Sequence, residues 1–305
     1  MIDSLDEQYL RQLRKAGSIS KAAAALGISQ PALSMKLSQL EKRLGFTLFN
    51  RRVSPITLTP AGIVFFDYLD EQDALRTRCL RQISELNADG ERRLSVGAPT
   101  VYVNSILIDA CTALHREHPS YKIRIESASV PKLAEMARNA ELDCFIATSL
   151  MPEEDFVNVI IRKERTHLCF AATHPIAQLL PDRPLTEQDL HLLDDQEMVF
   201  LKSNQPMQIT LERIIQKYGL KPKPSFTVDQ ISTALALAEN GAGICLATDE
   251  SLKKLKDRSV LQSRSMEALI PDRPIYAAYT RYPYTPSACM ELINHLHQQP
   301  LIKEE

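Results

Sequence analysis

The stretch SISKAAAALGISQPALSMKLSQLEKRLG, residues 18–45, carries the strongest structural signal in the chain. Ser20 stands where a helix N-cap belongs, and Lys21 to Leu26 follow as a short helix of small side chains that lets a second helix come close. Gly27 suits the left-handed turn that ends it, and Ile28 is placed to plug the corner. Ser29 caps the next helix, and Pro31 is tolerated in its first turn, where a missing N–H costs nothing. In that helix Leu33, Leu37, Leu40 and Leu44 make one buried stripe. Pro31, Ser34, Met35, Ser38 and Lys42 fall on the opposite side, with Gln30 beside them. Two helices joined this way form a helix-turn-helix, whose second helix enters the major groove of DNA. An ordinary three-helix packing unit with a solvated polar face fits the same pattern.

The flanks favour the first reading. Leu5, Tyr9, Leu10 and Leu13 recur at helical spacing before Gly17, which predicts a preceding amphipathic helix. Phe46 to Phe49 lead into Asn50-Arg51-Arg52, and Ile56 to Thr59 return, which predicts a two-stranded wing with Arg51 and Arg52 at its tip. Arginines there suit the phosphate backbone or the minor groove. On the helix, Gln30 can pair with an adenine edge, Ser34 and Ser38 with bases or phosphates, and Met35 with a thymine methyl. The Ser29 end of the helix favours phosphate. Residues 1–62 carry nine Lys/Arg against four Asp/Glu, whereas the remainder carries 27 against 34. A basic head on an acidic body fits a nucleic-acid binder with a separate sensing part.

Ala22-Ala23 with Leu26, Ser29-Gln30-Pro31-Ala32-Leu33-Ser34, Leu40-Glu41 with Leu44-Gly45, Leu48-Phe49 with Arg51-Arg52, and Leu58-Thr59-Pro60-Ala61-Gly62 together resemble the N-terminal signature of the LysR-type transcriptional regulators. The resemblance runs almost without gaps over residues 5–62 and matches many dispersed positions at once. It implies a dimerising linker helix and a two-lobed effector domain of the periplasmic-binding-protein type. Its implied partners are double-stranded DNA at a promoter or operator, a small-molecule effector, further copies of the chain as a dimer or tetramer, and RNA polymerase.

The rest of the chain fits that layout. Residues 60–88 read as one long helix opened by Pro60, with Phe65, Leu69, Cys79, Ile83 and Leu86 on alternating four- and three-residue steps. That spacing suits either helix pairing or packing on the helix's own domain. From about residue 92, strand-like runs (94–96, 121–125, 142–148, 198–201, 225–229, 244–248, 274–282) alternate with helical ones (102–117, 131–139, 208–218, 287–298), as in an α/β domain with a largely parallel sheet. The expected fold is therefore α/β multi-domain: a winged helix-turn-helix at 1–60, a linker helix at 60–90, and an effector domain at 91–305. Lobe I is expected over about 91–164 and 267–305, and lobe II over about 165–266.

Two lobes joined by strand crossovers leave a cleft, and ligands sit where strands turn into helices. Three turns stand out, at 99–102, 127–130 and 201–205. With the resemblance, which adds the turn after the strand ending at Asp229, they assign effector contacts to Thr100, Tyr102, Ser127, Ser129, Lys202, Ser203 and Asp229. For any single Ser or Thr a plain helix cap explains it equally well. The expected effector is a small anionic metabolite such as a carboxylate. No arginine stands in these turns, which counts against a dianion. A peroxide-sensing relative uses a cysteine pair near the Ser203 turn, and residues 200–212 hold no cysteine.

Several alternatives are weakened. There is no G-x-S-x-G, no P-loop, and the lone Gly241-Ala242-Gly243 lacks the third glycine of a dinucleotide site, so an α/β enzyme is unsupported and no catalytic residue or cofactor is expected. The six cysteines are dispersed without a C-x-x-C pair, and His115 and His118 lack a converging ligand, so no metal is expected. A solute-binding protein would share the two lobes, but the start Met1 to Glu7 is acidic where an export signal is basic and then apolar, and no apolar run is long enough to span a bilayer. The expected location is the cytoplasm, away from membranes.

Overall fold

The computed structural model describes residues 3–86, 92–203, 205–253, 255, 259–281 and 287–298. Asn204 of the third turn and Tyr282 lie outside them, and at Leu86 the backbone alone is described. The chain divides into compact units at 1–79 and 80–305.

In the first unit, helix α1 (Ser4–Ala16) starts from an Asp3/Asp6 capping box and ends at Gly17. Helix α2 (Ile19–Leu26) follows from Ser18, two residues earlier than the Ser20 expected from sequence, because Ser18 already has the extended backbone of a cap. Gly27, at φ +68°, makes the turn into α3 (Gln30–Leu44), where Ser29 Oγ accepts from the Ala32 N–H at 3.3 Å. Leu33, Leu37 and Leu40 are buried with Leu10, Leu13, Ala22 and Ala23, while Leu44, the fourth leucine of the expected stripe, is half-buried at the end of α3. Strands β1 (Phe49–Asn50) and β2 (Thr57–Leu58) pair antiparallel as the wing. Helix α4 (Pro60–Leu86) starts against it. Thr59 Oγ1 donates to the Thr47 carbonyl at 2.6 Å and accepts from the Gly62 N–H at 2.9 Å. A Cβ on Gly62 would fall 2.1 Å from the Leu48 carbonyl oxygen, so only glycine lets the helix meet the wing this closely.

The linker stripe divides between two environments. Phe65 and Leu69 pack into the head's own core beside Phe66, whereas Cys79 and Ile83 are exposed. Val64, Tyr68 and Leu75, with Cys79, form an exposed band on the helix face opposite Phe66. Arg11 reaches Asp70 at 2.6 Å and Asp73 at 2.7 Å, and Arg14 reaches Asp70 at 3.0 Å, which binds α1 to α4.

The second unit is built twice on one plan. Strand β3 (Arg93–Ala98) leads to α5 (Thr100–Tyr102), which continues through a π turn at Val103–Leu107 into α6 (Ile108–Glu117). Then come β4 (Lys122–Ser127), α7 (Val130–Arg138), β5 (Cys144–Ala147) and β6 (Phe156–Glu164). After one residue the chain enters β7 (Thr166–Ala171), passes β8 (Glu197–Leu201), α8 (Pro206–Tyr218), β9 (Lys223–Val228), α9 (Ile231–Glu239), β10 (Cys245–Thr248), α10 (Asp249–Leu252) and β11 (Leu261–Ser265), and returns through β12 (Arg273–Thr280) to α11 (Ser287–Gln298).

The first sheet has the order β4-β3-β5-β12-β6, with β4, β3 and β5 parallel and β12 antiparallel to its neighbours. In the second lobe β9 and β8 are parallel, a parallel bridge from Met198 to Ile244 joins β8 to the start of β10, and β7 lies antiparallel between β10 and β11. The order β9-β8-β10-β7-β11 repeats the first. Both crossovers, Glu164 to Thr166 and Ser265 to Arg273, leave each sheet at the edge where its parallel strands end. That connectivity makes the carboxyl ends of the two sets of strands the edges between which a ligand cleft forms.

Candidate functional site

The polar face of α3 stands in solvent. Gln30, Pro31, Met35, Ser38 and Lys42 are exposed and Ser34 is half-buried, with Met35 showing 57% of its surface. An exposed methionine on a helix whose other side is a leucine core leaves an apolar group for a partner to cover. Ser20, freed from capping, donates to Gln30 Oε1 at 3.1 Å, which leaves the Gln30 amide N–H groups as donors toward a base edge.

The two wing arginines behave differently. Arg52 is exposed at the turn after β1. Arg51 folds back onto α3, where it donates to Glu41 Oε2 at 2.6 Å and to Ser38 Oγ at 3.1 Å. Both are expected from sequence to meet phosphate; the Arg52 side chain is exposed, while that of Arg51 is engaged by the helix. Arg43 pairs with Asp6. Among the described residues, Lys21, Lys36, Lys42 and Arg52 make no ion pair, and they carry the unneutralised charge near α2, α3 and the wing.

In the second unit the strand-end turns come together within each lobe. Thr100 Oγ1 and Ser127 Oγ lie 2.8 Å apart, joining the turns after β3 and β4. At the equivalent place in the second lobe, Lys202 Nζ lies 2.5 Å from Asp229 Oδ1, joining the turns after β8 and β9. Thr100, Ser127, Ser129, Lys202, Ser203 and Asp229 are all exposed or half-buried. Ser129 is the residue before α7 but makes no side-chain cap bond, so its hydroxyl is available. The turn after β5, at Thr148 and Ser149, completes the first-lobe set. The strand expected through Thr148 ends at Ala147, and the two hydroxyls that follow this apolar run are the same signal that marks the other turns.

Tyr102 does not join them. It is buried, its hydroxyl donates to Glu164 Oε1 at 2.7 Å, and Arg273 Nη2 donates to it at 3.0 Å. Arg273 also pairs directly with Glu164. These residues bracket both crossovers, so Tyr102 belongs to the hinge. Burial first, and the Glu164 carboxylate second, push its phenol well above the usual tyrosine range, so it stays a donor. Beside it, buried Arg162 of β6 pairs with Glu250 of α10 at 3.2 Å, and Lys253 reaches Glu250 at 2.7 Å. Asp249, at the head of α10, takes the Arg165 N–H at 2.9 Å and His167 Nε2 at 2.5 Å. Of these ion pairs, Arg162–Glu250 links the two lobes, from β6 to α10, and the others brace the hinge from within one lobe.

Of the cysteines, Cys79 is exposed and the other five are buried. Gly241-Ala242-Gly243 forms the turn from α9 into β10. No group of three or more His, Cys, Asp or Glu among the described residues is placed to hold a metal ion, and no helix among them is long and apolar enough to cross a membrane.

Comparison with known proteins bears on both units. The family model described as a bacterial regulatory helix-turn-helix protein of the lysR family matches residues 6–63, and that described as the LysR substrate binding domain matches residues 87–300. The HTH-type transcriptional regulator YcgK of Bacillus subtilis is 24% identical over 93% of this chain and 92% of its own length. Among solved structures, a full-length OxyR variant from Pseudomonas aeruginosa is 20% identical with a TM-score of 0.66, covering 98% of this chain and 95% of that one. Full-length CbnR complexed with its target DNA is 18% identical with a TM-score of 0.67, covering 97% of this chain and 99% of that one.

Proposed function

This chain belongs to the LysR family of DNA-binding transcription regulators with an effector-binding domain, and on that premise we propose which of its surfaces carry each task. Helix α3 reads the major groove through Gln30, Pro31, Ser34 and Met35, with Arg52 on the backbone and the N-terminus of α3 at Ser29 toward a phosphate. The observation that carries this is the exposed, mixed polar and apolar face of α3 opposite the buried Leu33, Leu37 and Leu40. We place the DNA-binding part at 1–60, the linker at 60–90 and the effector part beyond it. The band of Val64, Tyr68, Leu75 and Cys79 on α4 pairs with the same helix of a second copy, giving two heads for two half-sites. CbnR was solved on a target DNA; for this chain the natural target is the promoter beside its own gene.

Between the lobes, Thr100, Ser127, Ser129 and Ser203 offer hydroxyls, and Lys202 with Asp229 offers a paired charge. This set suits a small polar metabolite such as a carboxylate, whose anion competes with Asp229 for Lys202. Effector binding then acts by its differential affinity for two arrangements of the lobes. LysR-family regulators are generally non-enzymatic, and we propose no catalytic activity and action in the cytoplasm, where the DNA is.

A thermal-shift screen of small carboxylates and amino acids tests the effector half of the reading. A binder at a hundredfold excess over its dissociation constant stabilises by about 2.7 kcal/mol. The shift should vanish in Thr100→Ala/Ser127→Ala. A shift that survives in that variant removes these turns from the site.

A further inference from the structure

The Glu41 side chain makes three hydrogen bonds within the DNA-binding head. Its Oε1 accepts the Leu48 N–H at 2.8 Å and the Phe49 N–H at 3.2 Å, so it holds the backbone that leads into the wing. Its Oε2 takes Arg51 at 2.6 Å, from the residue that follows β1. Arg51 then returns to the same helix one turn earlier, at Ser38. The Glu41 side chain is 11% exposed and that of Arg51 26%. One carboxylate therefore satisfies two backbone donors and one guanidinium, and three of its bonds end on the wing.

We propose that Glu41, Arg51 and Ser38 form a strut that sets the position of the wing relative to the reading face of α3, and that Arg51 is a positioning residue rather than a phosphate contact. The inference rests on the DNA-binding reading above. A planar guanidinium forked between a carboxylate and a hydroxyl has fixed geometry, which a free arginine lacks. Its charge is also balanced locally by Glu41, so it adds little to the field felt by DNA. The phosphate-facing charge of the head then lies on Arg52, Lys21, Lys36 and Lys42, none of which makes an ion pair among the described residues.

The two roles differ in salt dependence. Each phosphate neutralised contributes about 0.9 to the slope of log affinity against log salt. Affinity for a duplex carrying the promoter beside the gene is measured by fluorescence anisotropy over a salt series, against a scrambled duplex. Arg52→Met should flatten the slope by about 0.9. Arg51→Met should weaken binding about tenfold with an unchanged slope, and Glu41→Gln should do the same. The pair combined should be no worse than either alone, because both remove one unit. Arg51→Lys keeps the charge but cannot span Glu41 and Ser38, so the strut predicts weakened binding there too, and this variant decides the matter if Arg51→Met unfolds. A flattened slope in Arg51→Met, or wild-type affinity in Arg51→Lys, overturns the strut. A wild-type chain that binds the promoter no better than the scrambled duplex instead sinks the DNA-binding reading itself.

Discussion

Tyr102 and Glu164 meet at the hinge of the effector domain, the phenol of one donating to the carboxylate of the other at 2.7 Å. Tyr102 lies two residues beyond Thr100 on the helix that leaves the first strand-end turn, and Glu164 closes β6 at the first crossover. The site proposed for the effector and the joint between the lobes are therefore separated by one helical turn. Tyr102→Phe keeps the ring in its packing and removes one donor from a buried carboxylate that Arg273 still holds. The expected loss is about 1.5 kcal/mol, which for a domain of this size lowers the melting temperature by roughly 3–6 °C. Calorimetry of the purified chain reads it, and an unchanged transition would show that the hydroxyl adds nothing to the hinge.

Gly62 makes a second prediction. Its missing Cβ is what lets α4 start against Leu48, and the added methyl of Gly62→Ala would meet a backbone oxygen that has no rotamer by which to retreat. Overpacking of this kind costs about 1–3 kcal/mol. Urea unfolding should report at least that loss, with weaker promoter binding because the wing is displaced.

The hinge should respond to acid through Asp249. Burial works against its charge, but the hydrogen bonds from His167 and the Arg165 N–H outweigh that and hold its carboxyl below the usual aspartate range. A carboxyl depressed in the folded state contributes stability that is fully present above the unfolded value, near pH 4, and is lost as pH falls through the folded value. Melting curves of wild type and Asp249→Asn should therefore differ at pH 6 and begin to converge only below about pH 4. A gap that stays constant with pH would remove Asp249 from the hinge's charge balance.

The exposed band on α4 predicts an assembly defect. Val64, Tyr68 and Leu75 show half or more of their surface while the opposite face of the same helix is buried. Leu75→Glu should weaken self-association by roughly a hundredfold, the equivalent of about 2–3 kcal/mol of apolar burial lost between two copies. Sedimentation velocity at micromolar concentration checks this, and an unaltered dimer would place the interface elsewhere.

Much of this was legible in the amino-acid order, for a physical reason. Leu33, Leu37 and Leu40 are spaced by the geometry of a single helix, Gly17 and Gly27 by the turns that end two others, and Thr59-Pro60 by the start of the linker. Each of these is a local decision. The destinations of Arg51 and Tyr102 were not legible, because each depends on a partner brought close only by the fold: Glu41 from the reading helix, and Glu164 and Arg273 from far along the chain. The division of the linker stripe was not legible for a related cause, since spacing alone does not say which of two apolar faces the head covers. Strands β6 and β11 gave weak signals because both are edge strands, half exposed and without clean alternation. The matching strand order of the two lobes left no trace in residue identity, since either core needs only apolar side chains of suitable size.

The proposed reading face of α3 stands or falls on how Gln30→Ala/Ser34→Ala binds the promoter beside the gene. With folding confirmed by circular dichroism, discrimination between the promoter and a scrambled duplex should fall at least about tenfold while weak, salt-sensitive binding to both persists. Unchanged discrimination in the folded double variant would contradict it.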